Sequence, residues 1–221
     1  MKKNVLLIAF LCSGIFTYAQ FIPKAGITLS TINFDDSEYS ATSIIGFSAG
    51  LAYSLNLGIF SVQPELLFIQ KGTKFGYTYE EQDYSESENY DVTTNYIELP
   101  VLLKVSLGPD ALKFHINAGP SIGYGFGGKY KYDYRENYFG DIYTESEKGK
   151  IKFGNEPEFN ESDDLYIDNA IDFGVQVGGG VTIANKVMID IRYGIGLSDL
   201  FEEQTSKNRV LQFTIGIPLG R

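Results

Sequence analysis

Two alternating segments decide the fold of this chain: IDFGVQVGGGVTI at positions 171–183 and VMIDIRYGIGL at 187–197, joined by a three-residue turn. In the second segment apolar side chains fall on one face and charged residues or glycines on the other, because successive residues of a strand point to opposite sides. The first segment repeats this pattern. Each is about as long as the ~9 to 11 residues with which a tilted strand crosses a bilayer. The pair therefore predicts a hairpin of a transmembrane β-barrel.

Positions 1–19 predict a secretory signal peptide. Two lysines precede an apolar run at 5–16, and Ala19 ends a stretch with the small residues that signal peptidase recognises. A membrane helix is the alternative, but the run is too short for one. Cys12, the single cysteine, lies within this segment. We therefore expect a mature barrel domain at 20–221 without disulfides or an acyl anchor.

The mature chain has the pattern of an all-β protein with eight strands. No other apolar run approaches the ~18 residues of a membrane helix, so further crossings of a membrane must be made by strands. The predicted strands lie at about 24–32, 44–55, 59–79, 95–106, 111–126, 171–183, 187–197 and 209–219.

The connections between these strands alternate strictly between short and long. The short ones are 56–58, 107–110 and 184–186, and the long ones are 33–43, 80–92, 127–168 and 198–208. Bacterial outer-membrane barrels have an even strand number, short periplasmic turns and long outer loops. We therefore expect an eight-stranded antiparallel up-and-down barrel in the outer membrane, with both termini in the periplasm.

A secreted soluble barrel of the lipocalin type is an alternative, because it too can have eight up-and-down strands. Such a barrel places apolar residues inside and polar residues outside. Here the more uniformly apolar face of each strand is paired with a face rich in Gly, Ser and charge. This pairing favours the membrane barrel.

The net charge of −10 comes mostly from carboxylates in the predicted long loops. Such a surface disfavours nucleic acid as a partner, since phosphates are neutralised by Lys and Arg. A solvated hydrophilic rim is the plain interpretation of these carboxylates. Divalent-cation binding is the sharper one, but no spaced calcium-loop motif occurs.

Eight charged residues are expected to point into the barrel by strand parity. They are Lys24, Glu65, Glu98, Lys104, Lys113, Asp172, Asp190 and Arg192. Charges removed from water cost several kcal/mol each unless they are paired, so we expect a salt-bridge network in which Arg192 pairs with Glu65 or Glu98. We interpret the network as structural; a proton or ion relay is the alternative.

The sequence predicts no catalytic, cofactor or metal site. Hydrolases need a nucleophile with a base held by a third group. His115, the only histidine, is expected near the periplasmic end of a plugged lumen as a hydrogen-bonded residue. Transport is disfavoured, because eight strands leave an interior just wide enough for side chains to fill. An outer-membrane enzyme is the alternative function.

The connection at 127–168 exceeds the ~12 to 15 residues beyond which loops are usually functional or disordered. KYKYDYR at 129–135 alternates aromatic residues with charge, so part of this segment is expected to extend the fifth strand beyond the membrane. One interpretation is a binding surface, because Tyr and Arg are enriched where protein surfaces bind. Its residues are Tyr130, Tyr132, Tyr134, Arg135 and Tyr138. A hairpin extension packed on its neighbours is the other interpretation.

Several motifs resemble those of the PorT-like outer-membrane β-barrel proteins of Bacteroidetes. They are KAGITLS at 24–30, QPEL at 63–66, QKG at 70–72, YIELP at 96–100, GPSIG at 119–123, DFG at 172–174, the glycines at 178–180 and RYGIGLSDL at 192–200. The final residues, IPLGR, depart from the aromatic ending that such barrels often carry. The resemblance implies a non-enzymatic barrel that assists secretion of the type IX kind or binds through its surface loops. Its implied partners are outer-membrane lipid, secretion-machinery proteins or an extracellular ligand.

Overall fold

A computed structural model describes residues 19–34, 40–155, 157, 163–201 and 205–219. Within these ranges the chain forms ten strands. They are β1 (Ala19–Phe34), β2 (Ser40–Leu57), β3 (Phe60–Glu81), β4 (Tyr84–Leu107), β5 (Leu112–Tyr138), β6 (Asp141–Phe153), β7 (Leu165–Ile167), β8 (Ile171–Ile183), β9 (Val187–Gly196) and β10 (Ser206–Gly216). The described part of the chain contains no helix long and apolar enough to cross a membrane. Apart from Ala19, the predicted signal peptide lies outside the described residues.

Eight of these strands close into a ring, as predicted. Their order is β1-β2-β3-β4-β5-β8-β9-β10, with β10 paired back onto β1, and every neighbouring pair is antiparallel. Strands β6 and β7 stand outside the ring. β6 pairs with the outer half of β5, and β7 pairs in parallel with β6. The ring is thus an up-and-down barrel with one additional sheet attached.

The two faces of each ring strand have the predicted orientation. On β9, Ile191 is 47% exposed, whereas the adjacent Arg192 is 2% exposed. On β1, Ile27 is exposed and Thr28 is buried. The outer surface is a belt of large apolar side chains, which a soluble barrel would place inside. The ring strands therefore turn their apolar faces outward, as strands that border lipid do.

Both described ends of the chain and the three short turns lie at one end of the barrel, which we call the turn end. The β8–β9 turn spans three residues, 184–186. Ala184 and Asn185 have φ angles of 50° and 55°, and the Lys186 N–H donates to the Ile183 carbonyl at 2.9 Å. Two consecutive positive φ angles are typical of the type I′ turn, whose twist matches that of the strands it joins.

At the opposite end, four strand segments continue beyond the barrel as a sheet, which we call the extension. It comprises residues 73–81 of β3, 84–93 of β4, 128–138 of β5 and 141–152 of β6. The predicted continuation of the fifth strand is confirmed. The predicted loop at 80–92 is wrong, since β3 and β4 form a hairpin whose connection is only Gln82 and Asp83.

The inward parity of β5 changes at a β-bulge. Tyr96 on β4 pairs with Gly125, but Asn95 pairs with Gly127, so Phe126 is the additional residue. Below the bulge the odd-numbered residues of β5 face inward. Above it the even-numbered residues do, beginning with Gly128. A bulge shifts the strand by one residue, and therefore reverses the faces of everything that follows.

The interior is layered from one end of the barrel to the other. A small apolar cluster of Ile22, Ala52 and Met188 lies towards the turn end. A second cluster, of Ile69, Tyr96 and Val210, lies towards the extension. Charged side chains fill the space between them. A larger cluster packs at the base of the extension, formed by Ile32, Val92, Ile151, Ile167 and Leu200. Most of the buried charges therefore lie in the middle of the lumen, between two apolar clusters.

We expect Ile191→Arg to destabilise the inserted barrel by ~2 to 4 kcal/mol, because a charge near the bilayer midplane loses its hydration. Ile191→Leu is the matched control and should leave stability unchanged. Spin labels at positions 189 and 191 should be reached by lipid-soluble quenchers. Protection of both labels, with access at position 190, would show that the strand faces are reversed.

Candidate functional site

The lumen is organised around the ion pair between Arg192 on β9 and Glu65 on β3. Nη1 of Arg192 lies 2.9 Å from Glu65 Oε2, and Nη2 lies 3.1 Å from Glu65 Oε1. Both side chains are buried. The predicted pairing of Arg192 with Glu65 or Glu98 is therefore realised through Glu65. Its bidentate geometry is the strongest form of a carboxylate–guanidinium contact.

Towards the turn end, the network continues through Lys24. Its Nζ lies 3.1 Å from Glu65 Oε1 and 2.9 Å from Asp190 Oδ2. The other oxygen of Asp190 lies 2.5 Å from Nε2 of His115. His115 is buried and hydrogen-bonded in the half of the lumen nearer the turn end, where the sequence placed it.

Towards the extension, the network continues through Gln176. It accepts from Arg192 Nη1 at 3.2 Å and donates to Glu98. Glu98 Oε2 lies 2.5 Å from Lys71 Nζ, which also lies 3.0 Å from Asp172 Oδ2. One connected set of polar side chains thus runs from His115 to Asp172.

Lys71 is a central member of this network that the sequence analysis missed. Its ammonium group also lies 4.9 Å from the centre of the Tyr96 ring. The two inward-facing residues of β3 before it, Leu67 and Ile69, are apolar. The inward face of β3 is therefore hard to recognise from the sequence at this point. Counting in steps of two from Glu65 would have found Lys71, because β3 has no bulge between them.

Lys104 and Lys113 differ from the other predicted lumen charges. Lys104 is buried, but its Nζ contacts Gln63 Oε1 at 3.2 Å and Met188 Sδ at 3.1 Å. Lys113 lies outside the network altogether. Its Nζ pairs at 2.7 Å with exposed Asp110, because the second residue of β5 is still at the rim of the turn end. The predicted place of Lys113 in the lumen network is therefore wrong.

The buried charges balance. The cations are Lys24, Lys71, Lys104 and Arg192, and the carboxylates are Glu65, Glu98, Asp172 and Asp190, which gives four of each. Because the cost of burying a charge is offset only by an opposite charge nearby, a balanced set is what a narrow lumen can hold.

Two glycines of β8 make room for this network. A Cβ atom on Gly178 would lie 2.6 Å from Arg192 Cγ, and one on Gly180 would lie 2.9 Å from His115 Nε2. Both would also press on the β9 backbone, since the Ile191 and Ile189 carbonyl oxygens lie at 2.4 Å and 2.0 Å. Gly178 and Gly180 therefore leave room for the β9 backbone and for the side chains of Arg192 and His115.

The middle of the lumen is closely filled. A void of about 20 Å³ remains beside Lys71, Glu98 and Asp172, which is room for about one water molecule. At the extension end, Phe153 of β6 packs edge-on against Tyr96 at a ring separation of 5.5 Å. At the turn end, a cavity of about 690 Å³ is lined in part by Lys104 and Met188. The barrel is thus filled in its middle and has a polar cavity at the turn end.

The described part of the lumen contains a histidine–carboxylate pair. His115 and Asp190 form a base-and-orienter pair, but Nδ1 of His115 makes no hydrogen bond to any described residue, so no described hydroxyl is held for activation. The described residues also contain no group of three or more His, Cys, Asp or Glu side chains placed to hold a metal ion.

The extension has two faces of different chemistry. The inner face, continuous with the lumen side of the ring, carries tyrosines and carboxylates and no Lys or Arg among the paired residues of its four strands. From the row of Phe75 outward its members are Phe75, Tyr77, Tyr79, Glu81, Tyr84, Glu86, Glu88, Tyr90, Tyr132, Tyr134, Glu136, Tyr138, Asp141, Tyr143, Glu145 and Glu147, and Tyr130 lies one row closer to the barrel. More than half of the 16 tyrosines of the chain therefore lie on one face of this sheet.

Tyrosine hydroxyls on the inner face donate to neighbouring glutamates. The Tyr84 hydroxyl donates to Glu86 at 2.7 Å, and that of Tyr132 donates to Glu88 at 3.3 Å. The hydrogen bond to Glu86 raises the pKa of Tyr84 to about 12. Partial burial and then Glu88 raise the pKa of Tyr132 to about 12. The phenols thus stay neutral donors while the carboxylates keep the negative charge of the face.

The structure separates the residues predicted as a loop binding surface. Tyr130, Tyr132, Tyr134 and Tyr138 share the inner face, because the bulge in β5 turns even-numbered residues inward. Arg135 lies on the opposite face, with the lysines of β5 and β6. Arg135 therefore does not contribute to a common surface with the tyrosines.

Comparison with protein families finds a match to the outer membrane protein beta-barrel domain over residues 15–202, which is most of the chain. The chain belongs to this family. Its place is therefore the outer membrane, and its apolar belt is the lipid-facing surface of the barrel.

Solved structures of other outer-membrane proteins resemble this barrel at low sequence identity. For Ail, the attachment invasion locus protein of Yersinia pestis, identity is 14%, coverage is 91% of this chain and 99% of Ail, and the TM-score is 0.41. For Neisserial surface protein A, identity is 10%, coverage is 90% of this chain and 97% of that protein, and the TM-score is 0.40. For the outer-membrane enzyme PagL, identity is 10%, coverage is 90% of this chain and 99% of PagL, and the TM-score is 0.49. No curated protein sequence matches this chain.

We expect Arg192→Met to destabilise this outer-membrane barrel by ~3 to 5 kcal/mol, because buried Glu65 loses its bidentate partner and keeps only Lys24 as a cationic neighbour. Adding Glu65→Gln should recover part of the loss, since the two residues form one interaction. Lys113→Met is the control, and loss of its partly exposed ion pair should cost ~0 to 1 kcal/mol. Unfolding in urea, followed by heat-modifiable gel mobility, measures all four proteins. Parent-like unfolding of Arg192→Met would show that the pair contributes nothing.

Proposed function

We propose that this chain is a non-enzymatic binding protein of the outer membrane. The plugged barrel serves as an anchor, and the inner face of the extension binds a cationic partner, such as a Lys- and Arg-rich segment of another protein. The observation that carries this proposal is the composition of the inner face, which combines tyrosines and carboxylates without Lys or Arg.

The proposal places the extension outside the cell and the turn end in the periplasm. Barrels of this kind have short periplasmic turns and longer outer segments. The three short turns share one end with Gln20 and Leu219, and the extension occupies the other. This orientation makes the inner face available to partners in the surroundings of the cell.

The chemistry of the inner face supports a cationic partner. Clustered carboxylates create a negative potential that steers and holds positive groups. Ammonium and guanidinium groups are also attracted to the faces of aromatic rings. Tyr77, Tyr79, Tyr138 and Tyr143 are each exposed by two-fifths or more, so their rings are accessible to such groups.

The plugged lumen supports an anchoring role over transport. The middle of the barrel is filled, with a void of about 20 Å³ beside Lys71. A channel would need a continuous water-filled path, and an eight-stranded barrel leaves little room for one. The chemistry offered to a partner is therefore concentrated on the extension.

Secretion assistance is the second candidate, supported by the resemblance to PorT-like proteins. In that case the same extension would contact a secretion-machinery protein rather than an external ligand. The two candidates differ in what is lost when the extension is removed, and this difference can be measured in cells.

We expect the purified barrel to bind a synthetic Arg-rich peptide better than a Glu-rich peptide of the same length, with an affinity that falls as salt is added. Glu88→Gln with Glu147→Gln, which lie on either side of Tyr132, should weaken binding about tenfold. Glu80→Gln with Asp110→Asn, two carboxylates away from the inner face, is the matched control and should bind like the parent. Equal binding of the two peptides by the parent would contradict the proposal.

A deletion separates the two candidates. Lys129 and Lys150 are paired across β5 and β6, so residues 130–149 can be replaced by a short Gly-Ser turn without opening the barrel. External binding predicts that this variant inserts normally, loses the peptide and leaves the export of surface proteins unchanged. Normal insertion with loss of export would favour the secretion role instead.

A further inference from the structure

The outer face of the extension carries a lysine cluster, defined by Lys129 and Lys131 on β5 with Lys148 and Lys150 on β6. The register places Lys129 directly opposite Lys150, and Lys131 directly opposite Lys148. Like charges directly opposite one another destabilise a pair of strands. Two such pairs in succession are therefore a feature that packing of the sheet does not explain.

Among the described residues, only Lys131 of this cluster forms an ion pair with a carboxylate. Lys131 Nζ lies 2.5 Å from Asp133. Among the described residues, Lys129, Lys148 and Lys150 have no carboxylate oxygen within the 4.0 Å of an ion pair.

The nearest acidic side chains along the strands are already engaged with other lysines. Asp91, opposite Lys131 on β4, lies 2.9 Å from Lys74 Nζ. Asp164 lies 2.7 Å from Lys152 Nζ and accepts a long 3.4 Å hydrogen bond from the backbone of Lys150. Within the part of the chain that the structure describes, the ammonium groups of Lys129, Lys148 and Lys150 are thus without an ion-pair partner and can meet an anion from outside the protein.

The cluster lies directly beyond the lipid-facing belt. The last apolar side chains of that belt on β5 are Tyr124 and Phe126, which are more than half exposed. Lys129 follows Phe126 by three residues, about 10 Å along an extended strand. The outer face of the extension is continuous with the outer face of the barrel, so these lysines stand at the height of lipid headgroups. Long basic side chains at this height can extend their charged ends to the interface.

We propose that the lysine cluster binds the phosphate-bearing headgroup of an anionic lipid, in the leaflet beside the extension. Charge complementarity and continuity with the lipid-facing belt favour a lipid over a soluble anion, because the bilayer holds its phosphates at this level next to the strands. Binding would relieve the repulsion within both lysine pairs. The site is on the opposite face from the proposed cationic-partner surface and does not depend on it.

The test uses the full barrel in nanodiscs of phosphatidylcholine, with or without phosphatidylglycerol as the anionic probe. We expect the parent to melt at a higher temperature when phosphatidylglycerol is present. Lys129→Gln with Lys150→Gln should lose more than half of that gain. Lys113→Gln with Lys186→Gln is the matched control, because it removes the same charge at the turn end, and it should keep the gain.

The proposal is overturned if the Lys129→Gln and Lys150→Gln variant keeps the gain, or if the turn-end control loses it equally. It is also overturned if inorganic pyrophosphate, added to phosphatidylcholine discs, gives the parent the same gain and the variant none, since the ligand would then be a soluble anion. Heat-modifiable gel mobility verifies that each variant is folded. Lys148→Gln with Lys150→Gln is the replacement pair if the first variant does not fold.

Discussion

The bidentate contact between Arg192 and Glu65 is the constraint on which the rest of the barrel depends. A guanidinium group can be buried in so narrow a lumen only if a carboxylate meets it there, and every further buried charge needs a partner in turn. The result is a balanced set that connects β1, β3, β4, β5, β8 and β9 across the interior. A Cβ atom at Gly178 or Gly180 would collide with the β9 backbone and with a side chain of this set. The network therefore ties six of the eight ring strands together across the interior.

Because the interior is filled, the surfaces free to meet other molecules are outside it. The bulge at Phe126 decides which side chains the extension presents on each face. Above it, tyrosines and carboxylates face inward and lysines face outward. One additional residue in β5 therefore separates an acidic aromatic surface from a basic surface that borders the lipid. The proposed partner and the proposed lipid site both follow from this separation.

Period-2 alternation predicted the barrel well wherever one strand face meets lipid and the other the lumen. It assigned Arg192 and Glu65 to the interior, and the structure pairs them. Alternation failed where the two faces of a strand do not differ clearly in polarity. Lys71 was hidden by the apolar layer before it, and Lys113 is at a rim where inside and outside are both wet. Alternation also predicts a loop at 80–92. A strand beyond the membrane has no lipid-facing side, and therefore no row of apolar residues by which alternation could identify it.

We propose that the lumen is a closed, charge-balanced plug and that partners bind on the extension. Ion conductance of the purified barrel in a planar lipid bilayer tests the closed lumen most directly. The geometry predicts no discrete conductance steps from the parent protein in neutral buffered salt, because the void of about 20 Å³ beside Lys71 is too small for a water-filled path through the middle of the barrel. Reproducible steps from the parent, at a size set by salt concentration, would contradict it.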